Sequence, residues 1–576
     1  MRRTILGQVG LCSAVLLLTA CVAPRSGTSS RDQGVASTTG LVVSTDAIAS
    51  DVGAAILRRG GNAVDAAIAT AFALAVTHPA AGNIGGGGFM VIRTPSGEAT
   101  TIDYREVAPQ RSTPTMYVGA DGTIDRALTA QGYLAPGVPG TVRGLELAHR
   151  RFGVLPWRDI VRPAAALASD GITLTASLAA SLNGQLRGSM GRFPSSVAAY
   201  AKPGGGTWVA GDRLVQPDLG RALRTIADEG PEAFYRGWIA DSMVADIQRN
   251  GGIITHADLA AYRAVERAPV RGSFRGYEII GMPPPSSGGI AVIQMLNLVE
   301  PMGLERSGRW SPRTLHHLIE VRRLAFLDRA RYLGDPDFAA IPTAKLLDPG
   351  YAATLRASID SSRAASSVAL GRDIVTVPTD RESDETTHFS VIDGAGMAVS
   401  NTYTLEASYG SKAVVRGAGF LLNNEMGDFN KLPGLTNLTG DIGTAPNLIA
   451  PGKRMLSSMS PTIVTRDGAV VLITGSPGGR TIINTVFDVV LNVTLFGMSG
   501  REAVDAPRLH HQWLPDAATF EAAAVDSSTL LALRAMGHSV RAQGRQGDAH
   551  SIVVDPRTGI AYGINDRRSA DSKASR

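Results

Sequence analysis

The sequence predicts an α+β protein built from mixed layers of helix and sheet. Helix-period apolar faces dominate up to about residue 355, and strand-period runs dominate from residue 386 onward. The chain has 576 residues, 44% hydrophobic and 19% charged, which supports a large core and excludes global disorder. At roughly 100–200 residues per domain, that length allows three or four domains, or one or two large layered ones. Lys and Arg total 56 against 51 Asp and Glu, a net charge of +5. No basic run forms a stripe that tracks phosphates, so nucleic acid is not an expected partner. The only two cysteines, Cys12 and Cys21, lie near the N-terminus. A disulfide framework and a cysteine metal site in the folded body are therefore excluded.

The first segment reads as an address. Arg2 and Arg3 precede an apolar run from Leu11 to Leu18, which ends in Leu18-Thr19-Ala20-Cys21. This is the pattern of a secretory signal peptide over residues 1–20, with a run too short for a permanent membrane span. The Leu-Thr-Ala-Cys tetrad resembles the lipobox of bacterial lipoproteins. That resemblance implies cleavage before Cys21, a lipid on its thiol, and an exported protein anchored at the periplasmic side of the outer membrane. An ordinary signal peptide with a chance cysteine is the alternative. Residues 21–39 are rich in Ser, Thr and Gly and read as a flexible tether. Ala63–Val76 is apolar but short, and it carries Asp65.

The elements follow in order. Asp46–Arg59 and Asn62–Thr77 are predicted helices separated by Gly60-Gly61; Ile48, Val52 and Ile56 line one face of the first, and Val64, Ile68 and Phe72 one face of the second. Asn62, with Asp65 three residues on, matches an N-cap. A glycine cluster, Gly85 to Gly88, precedes the strand-like runs Phe89–Ile92 and Thr100–Tyr104. Helix signals dominate residues 140–355, including Pro312–Leu333. Residues 356–385 turn polar and read as an exposed loop ending in Arg381-Glu382-Ser383-Asp384-Glu385. Strands are then predicted at His388–Asp393, Met397–Leu405, Val414–Asn423, Ile463–Thr465 and Val470–Thr474, with a helix at Thr481–Phe496. No internal repeat is visible.

The chemistry concentrates where the composition changes. Asp393-Gly394 marks a hairpin turn. Folding the chain about residues 394–395 puts Thr386 opposite Tyr403 or Thr404, and so two threonines near one hairpin end. A threonine hydroxyl is a weak nucleophile without a neighbouring base, and a free α-amine on the same residue can serve. Its reference pKa of about 7.7–8.0 suits that task near neutrality. The acidic loop just upstream is where such a chain would cleave itself. Paired threonines also occur as plain strand packing, and spacing alone leaves both readings open.

The run Thr386–Gly410 closely resembles the signature of gamma-glutamyltransferases, members of the N-terminal-nucleophile hydrolase superfamily. Further matching stretches are Gly60–Arg93, Asp103-Tyr104-Arg105-Glu106, Gly137–Gly140, Pro283–Gly289, Leu422–Asp428, Leu456–Pro461, Gly475–Gly479 and Pro507–Pro515. The resemblance implies a four-layer αββα fold built from two subunits of one precursor, cut between Glu385 and Thr386. Residues 40–385 become a helix-rich large subunit and 386–576 a strand-rich small subunit, associated as a heterodimer. It also implies a gamma-glutamyl hydrolase/transferase that takes glutathione and related compounds and needs no cofactor. The group passes through an ester on Thr386 to water or to the amine of an amino acid or peptide.

By the same resemblance, Thr404 hydrogen-bonds the nucleophile, and Gly478 and Gly479 form the oxyanion hole. The turn Ser476-Pro477-Gly478-Gly479, between a strand and a helix, suits that role because free N–H groups point outward there. Arg105, Ser457 and Ser458 match residues that hold the substrate's α-carboxylate; read alone, Arg105 is equally a surface ion pair with Glu106. Glu425 and Asp428 match residues that hold the α-ammonium; read alone, they form a solvated loop. Glu406 departs from the Asn of many relatives, and an added carboxylate there strengthens the hold on an ammonium or shares a proton with its neighbours. Met397 replaces a usual Ser or Asn, away from the nucleophile. Residues 429–452 span the family's lid loop, with Thr439 where many bacterial relatives carry Tyr. The pairs His316-His317 and His510-His511 point apart on either kind of element, so no catalytic metal is expected. Two other readings stand beside the leading one. A glutaryl-type cephalosporin acylase would leave the ammonium-binding acids without a partner, and a non-catalytic binder of glutathione-like peptides would not need to cleave itself.

Overall fold

The computed structural model describes residues 33–375, 386–521 and 525–576. The expected signal peptide, Cys21, the start of the tether and Glu385 lie outside the described residues. Two seven-stranded antiparallel sheets form the centre. The first runs Lys573–Ser575, Gly40–Ser44, Thr387–Asp393, Ala398–Thr404, Gly87–Arg93, Ala99–Asp103, Val265–Arg267. The second runs Val35–Ser37, Ala561–Ile564, Ser551–Val554, Ala469–Thr474, Thr462–Arg466, Tyr277–Gly281, Val270–Phe274.

Strand alternation divides the first sheet between two cores. Val42, Met90, Ile92 and Val391 join one apolar cluster with the helices Ala47–Arg58 and Ala63–Thr77. Their neighbours Leu41, Val43, Val91 and Ile392 face the other cluster, with Ile463 and Leu472 of the second sheet. That cluster also takes in the helices Gly288–Val299, Pro312–Tyr332 and Thr481–Thr494. Helix, sheet, sheet, helix is thus the layer order, the four-layer αββα arrangement expected.

Local chemistry explains the main elements. Asn62 accepts from the Val64 and Asp65 N–H groups at 2.9 and 3.0 Å, and Asp65 accepts in return from Asn62 N, which completes a capping box. Asp65 also accepts from the Val154 and Leu155 backbone, so the one acid of this buried helix is satisfied. In the hairpin, Asp393 accepts from Ala395 N and Met397 N, and Gly396 adopts φ 89° to close the turn. The register Thr387↔Tyr403 through Ile392↔Ala398 follows.

Several expectations need correction. Val414–Asn423 is no strand: Gly417 and Gly419, both at φ 76°, turn the chain back and leave one isolated bridge, Val414↔Leu421. Val35–Ser37, placed in the tether, is an edge strand paired with Ala561–Ile564. The helix-dominated stretch contributes three strands to the two central sheets, Val265–Arg267, Val270–Phe274 and Tyr277–Gly281, and a separate short pair, Ile172–Thr173 with Arg213–Leu214. Within the polar stretch, Ser367 is buried and its carbonyl accepts from Trp513 Nε1 at 2.8 Å. No helix among the described residues is long and apolar enough to cross a membrane.

Candidate active site

Thr386 is buried at the open end of the hairpin, and its hydroxyl donates to Thr404 Oγ1 at 3.3 Å. Thr404 Oγ1 also accepts from Glu406 N at 2.8 Å. The glycine cluster fixes this end. Asn83 Nδ2 donates to Thr404 O at 2.8 Å, and a Cβ on Gly86 would lie 2.1 Å from that same oxygen. A side chain there is incompatible with the approach of the two strands.

Ser476-Pro477-Gly478-Gly479 links the strand Ala469–Thr474 to the helix Thr481–Thr494. Gly478 and Gly479 have φ 122° and 53°. The Gly478 carbonyl accepts from Thr481 Oγ1 at 2.6 Å and Thr481 N at 3.0 Å, so it is turned into the helix. A trans peptide then directs the Gly479 N–H the other way. Gly479, Thr386 and Thr404 line one cleft.

The far side of that cleft is densely charged. Arg105 is fully buried, which removes the surface ion-pair reading. Its Nη1 lies 2.6 Å from Glu425 and 3.5 Å from Glu106, and its Nη2 bonds Asp428. Glu425 is also buried, in a short 3-10 turn with Asp428, so the solvated-loop reading fails as well. Glu406 lines the same cleft at φ 76°, and a Cβ on Gly427 would come within 2.9 Å of its carboxylate. One guanidinium thus serves three carboxyls, with Glu406 lining the same cleft. Burial pulls Arg105 down, but Glu425, Asp428 and Glu106 outweigh it and hold its pKa above the ordinary value. Burial raises Glu106 to about 8 against the pull of Arg105, and raises Glu425 well above the carboxylate range. Glu425 Oε1 has no hydrogen-bond partner among the described residues.

Ser457 and Ser458 complete the cleft. The Pro283–Gly289 segment clasps them: Ser457 N donates to Pro285 O at 2.9 Å, and Ser287 donates to Ser457 O from both its N and its hydroxyl. Arg329 Nη2 donates to Ser458 Oγ at 3.0 Å. The lid loop lies over the cleft, where Leu432, Leu435, Asp441 and Ile442 line it. Thr439 bonds only Asn437 of its own turn among the contacts seen, while Arg126 pairs with Asp441 at 2.6 Å and Arg480 donates to Gly440 O at 3.0 Å. The segment 429–452 is thus tied to Arg126 and, through Arg480, to the turn before the helix Thr481–Thr494.

Every predicted site residue in the described chain lines this cleft except Gly478, which lies beneath Gly479. Sequence reasoning missed Arg329, Glu106 and Thr481. A cation on a helix that is almost wholly buried was the available signal for Arg329. The histidine pairs do not converge: His317 bonds Arg313 O, and His316 bonds Asp360 O and His538. His316, Glu320 and His538 form a buried group of metal-ligand types, but the two imidazoles bond each other at 2.7 Å and Glu320 pairs with Arg323 at 3.2 Å. None of the three lines the cleft.

Two facing sheets under helices, with a threonine at a strand start facing a glycine turn, are the architecture of an N-terminal-nucleophile hydrolase. The gamma-glutamyltranspeptidase family model matches residues 49–575. A glutathione hydrolase proenzyme of Escherichia coli is 44% identical over 532 residues, covering 92% of this chain and 91% of the relative. An acylase ACY 1 proenzyme of a Pseudomonas species is 37% identical, covering 90% of each chain. Among solved structures, a cephalosporin acylase from Bacillus halodurans aligns with TM-score 0.82 at 26% identity, covering 96% of this chain and 99% of the other. The chain belongs to the gamma-glutamyltranspeptidase family.

Proposed function

We propose that this chain is an autoprocessed gamma-glutamyl hydrolase and transferase acting on glutathione and related compounds. The observation that carries the reading is the shared cleft: Thr386 and Thr404 hydrogen-bonded at one end, Arg105 among acids at the other, with Gly479 between. In self-cleavage, the Thr386 hydroxyl attacks the Glu385 carbonyl, the peptide C–N bond breaks, and water hydrolyses the resulting ester. Thr386 is left with a free α-amine on a small subunit of residues 386–576, paired with a large subunit of 40–385.

In turnover, Thr386 Oγ1 bonds to the gamma-carbonyl carbon, and its proton passes to the α-amine. The oxyanion faces the N–H groups of Gly478 and Gly479. The gamma C–N bond breaks as the leaving amine takes the proton. Water, or the amine of an amino acid or dipeptide, then attacks the ester. The substrate's α-carboxylate is held by Arg105, Ser457 and Ser458, and its α-ammonium by Glu406, Glu425 and Asp428.

A glutaryl-type acylase is the second reading, favoured by the acylase relatives. A glutaryl group has no ammonium, so Glu406, Glu425 and Asp428 would gain no cation from the substrate, which a site selective for it avoids. Comparing kcat/KM for gamma-glutamyl and glutaryl anilides decides: a preference for the glutaryl donor sinks the leading reading. We further propose export and lipid anchoring at Cys21 on the periplasmic face of the outer membrane, supported by the Leu18–Cys21 tetrad. Cys21→Ser should move the protein from the membrane to the soluble fraction; unchanged fractionation would count against the anchor.

A further inference from the structure

The carboxylate end of the cleft presents a physical difficulty. The N–H groups of Arg105 are already engaged by Glu425, Asp428, Glu106 and the Met455 carbonyl before a substrate carboxylate arrives. A second cation lines the same cleft. Arg329, in the last turn of the helix Pro312–Tyr332, donates from Nε to Ser287 Oγ at 2.9 Å and from Nη2 to Ser458 Oγ at 3.0 Å. A guanidinium only donates, whereas a serine hydroxyl has one proton and two lone pairs. Both serine oxygens are therefore acceptors toward Arg329. Ser287 directs its own proton to Ser457 O at 2.6 Å. No donation from Ser458 Oγ to a described residue is seen, and Ser458 lines the cleft. Ser457 Oγ likewise accepts from Met459 N at 3.1 Å.

We propose that Arg329 is a positioning residue for substrate specificity: by donating to Ser458 Oγ it fixes that hydroxyl as a donor toward the cleft, so that the site selects donors bearing an α-carboxylate. The inference rests on the reading of this end as the α-carboxylate subsite. It also gives the Pro283–Gly289 segment a task, because Ser287 is the other prong of the Arg329 fork. Lysine is a poor replacement, since a point charge does not span two hydroxyls.

The test uses the full chain and two chromogenic donors, gamma-glutamyl-p-nitroanilide and 4-aminobutanoyl-p-nitroanilide, the latter lacking only the α-carboxylate. Wild type should prefer the first. Arg329→Gln should raise KM for the gamma-glutamyl donor far more than it lowers kcat, and should cut the preference between donors about tenfold, as loss of a charge-assisted hydrogen bond does. Arg329→Lys should fall in between. Equal losses on both donors, or an unchanged preference, would overturn the inference. Absence of any preference in wild type would instead refute the carboxylate subsite itself. If Arg329→Gln fails to fold, Ser287→Ala removes one prong only and should reduce the same preference a few-fold; an equal effect on both donors again overturns it.

Discussion

Thr386 Oγ1 and Thr404 Oγ1 lie 3.3 Å apart across the end of a hairpin whose register is fixed six residue pairs deep. Thr404 sits between the nucleophile and the Glu406 backbone, from which it accepts a second hydrogen bond. It therefore orients the attacking oxygen while its own position is held from behind. Thr404→Ala should slow both self-cleavage and turnover by on the order of tenfold, the effect of losing one hydrogen bond to a reacting oxygen. Thr404→Ser should restore most of both rates. A gel time course and kcat on one donor check this, and an unaffected cleavage rate would contradict it.

The oxyanion turn predicts a different kinetic signature. A Cβ on Gly478 would lie 2.4 Å from Thr481 Oγ1, at a backbone φ of 122° that L side chains rarely adopt. Gly478→Ala should displace the Gly478–Gly479 peptide and lower kcat by about 10²–10³, the usual cost of a lost oxyanion donor. KM should move little. Thr481→Val, which removes the hydroxyl on Gly478 O, should show a milder loss of the same kind.

The acid cluster makes stability depend on pH. Glu106 has its folded pKa raised from 4.5 to about 8 by burial. The contribution of its protonated form is fully present below about 4.5 and is lost as pH rises through about 8. Tm of the ligand-free protein should thus fall over that window, and fall less in Glu106→Gln. A thermal melt series against pH checks the sign.

Glu406 offers the most direct probe of ammonium recognition. Glu406→Gln removes one negative charge from the cleft and should raise KM for gamma-glutamyl donors several-fold. The same change should not weaken a glutaryl donor, which brings no ammonium. Parallel KM increases on both donors would remove Glu406 from the ammonium site.

Local signals in the chain carried the hairpin. A strand period of two plus an Asp-Gly turn leaves little freedom in register and puts Thr386 opposite Tyr403 or Thr404; the observed pairing of Thr387 with Tyr403 selects Thr404. The glycines between a strand and a helix read alone as a plain turn, and only the family resemblance implied an oxyanion role for Gly478 and Gly479. What stayed hidden depends on long-range contacts. Nothing near Arg105 in sequence says that Glu425 and Asp428 will reach it, and in isolation it passed for a surface charge. Val414–Asn423 reads as a strand because its apolar residues are β formers, yet Gly417 and Gly419 reverse it. The strands between Val265 and Gly281 were masked by the helices around them, and only pairing with Thr462–Arg466 and Ala99–Asp103 makes them sheet. Arg329 reached its serines through a helix the sequence had read simply as helix.

Self-processing at Thr386 is the central claim, and a denaturing intact-mass spectrum of the purified protein tests it most directly. The account predicts two polypeptides, the smaller with the mass of residues 386–576, and a single chain from Thr386→Ala. One uncut chain from wild type, or the same two fragments from Thr386→Ala, would contradict it.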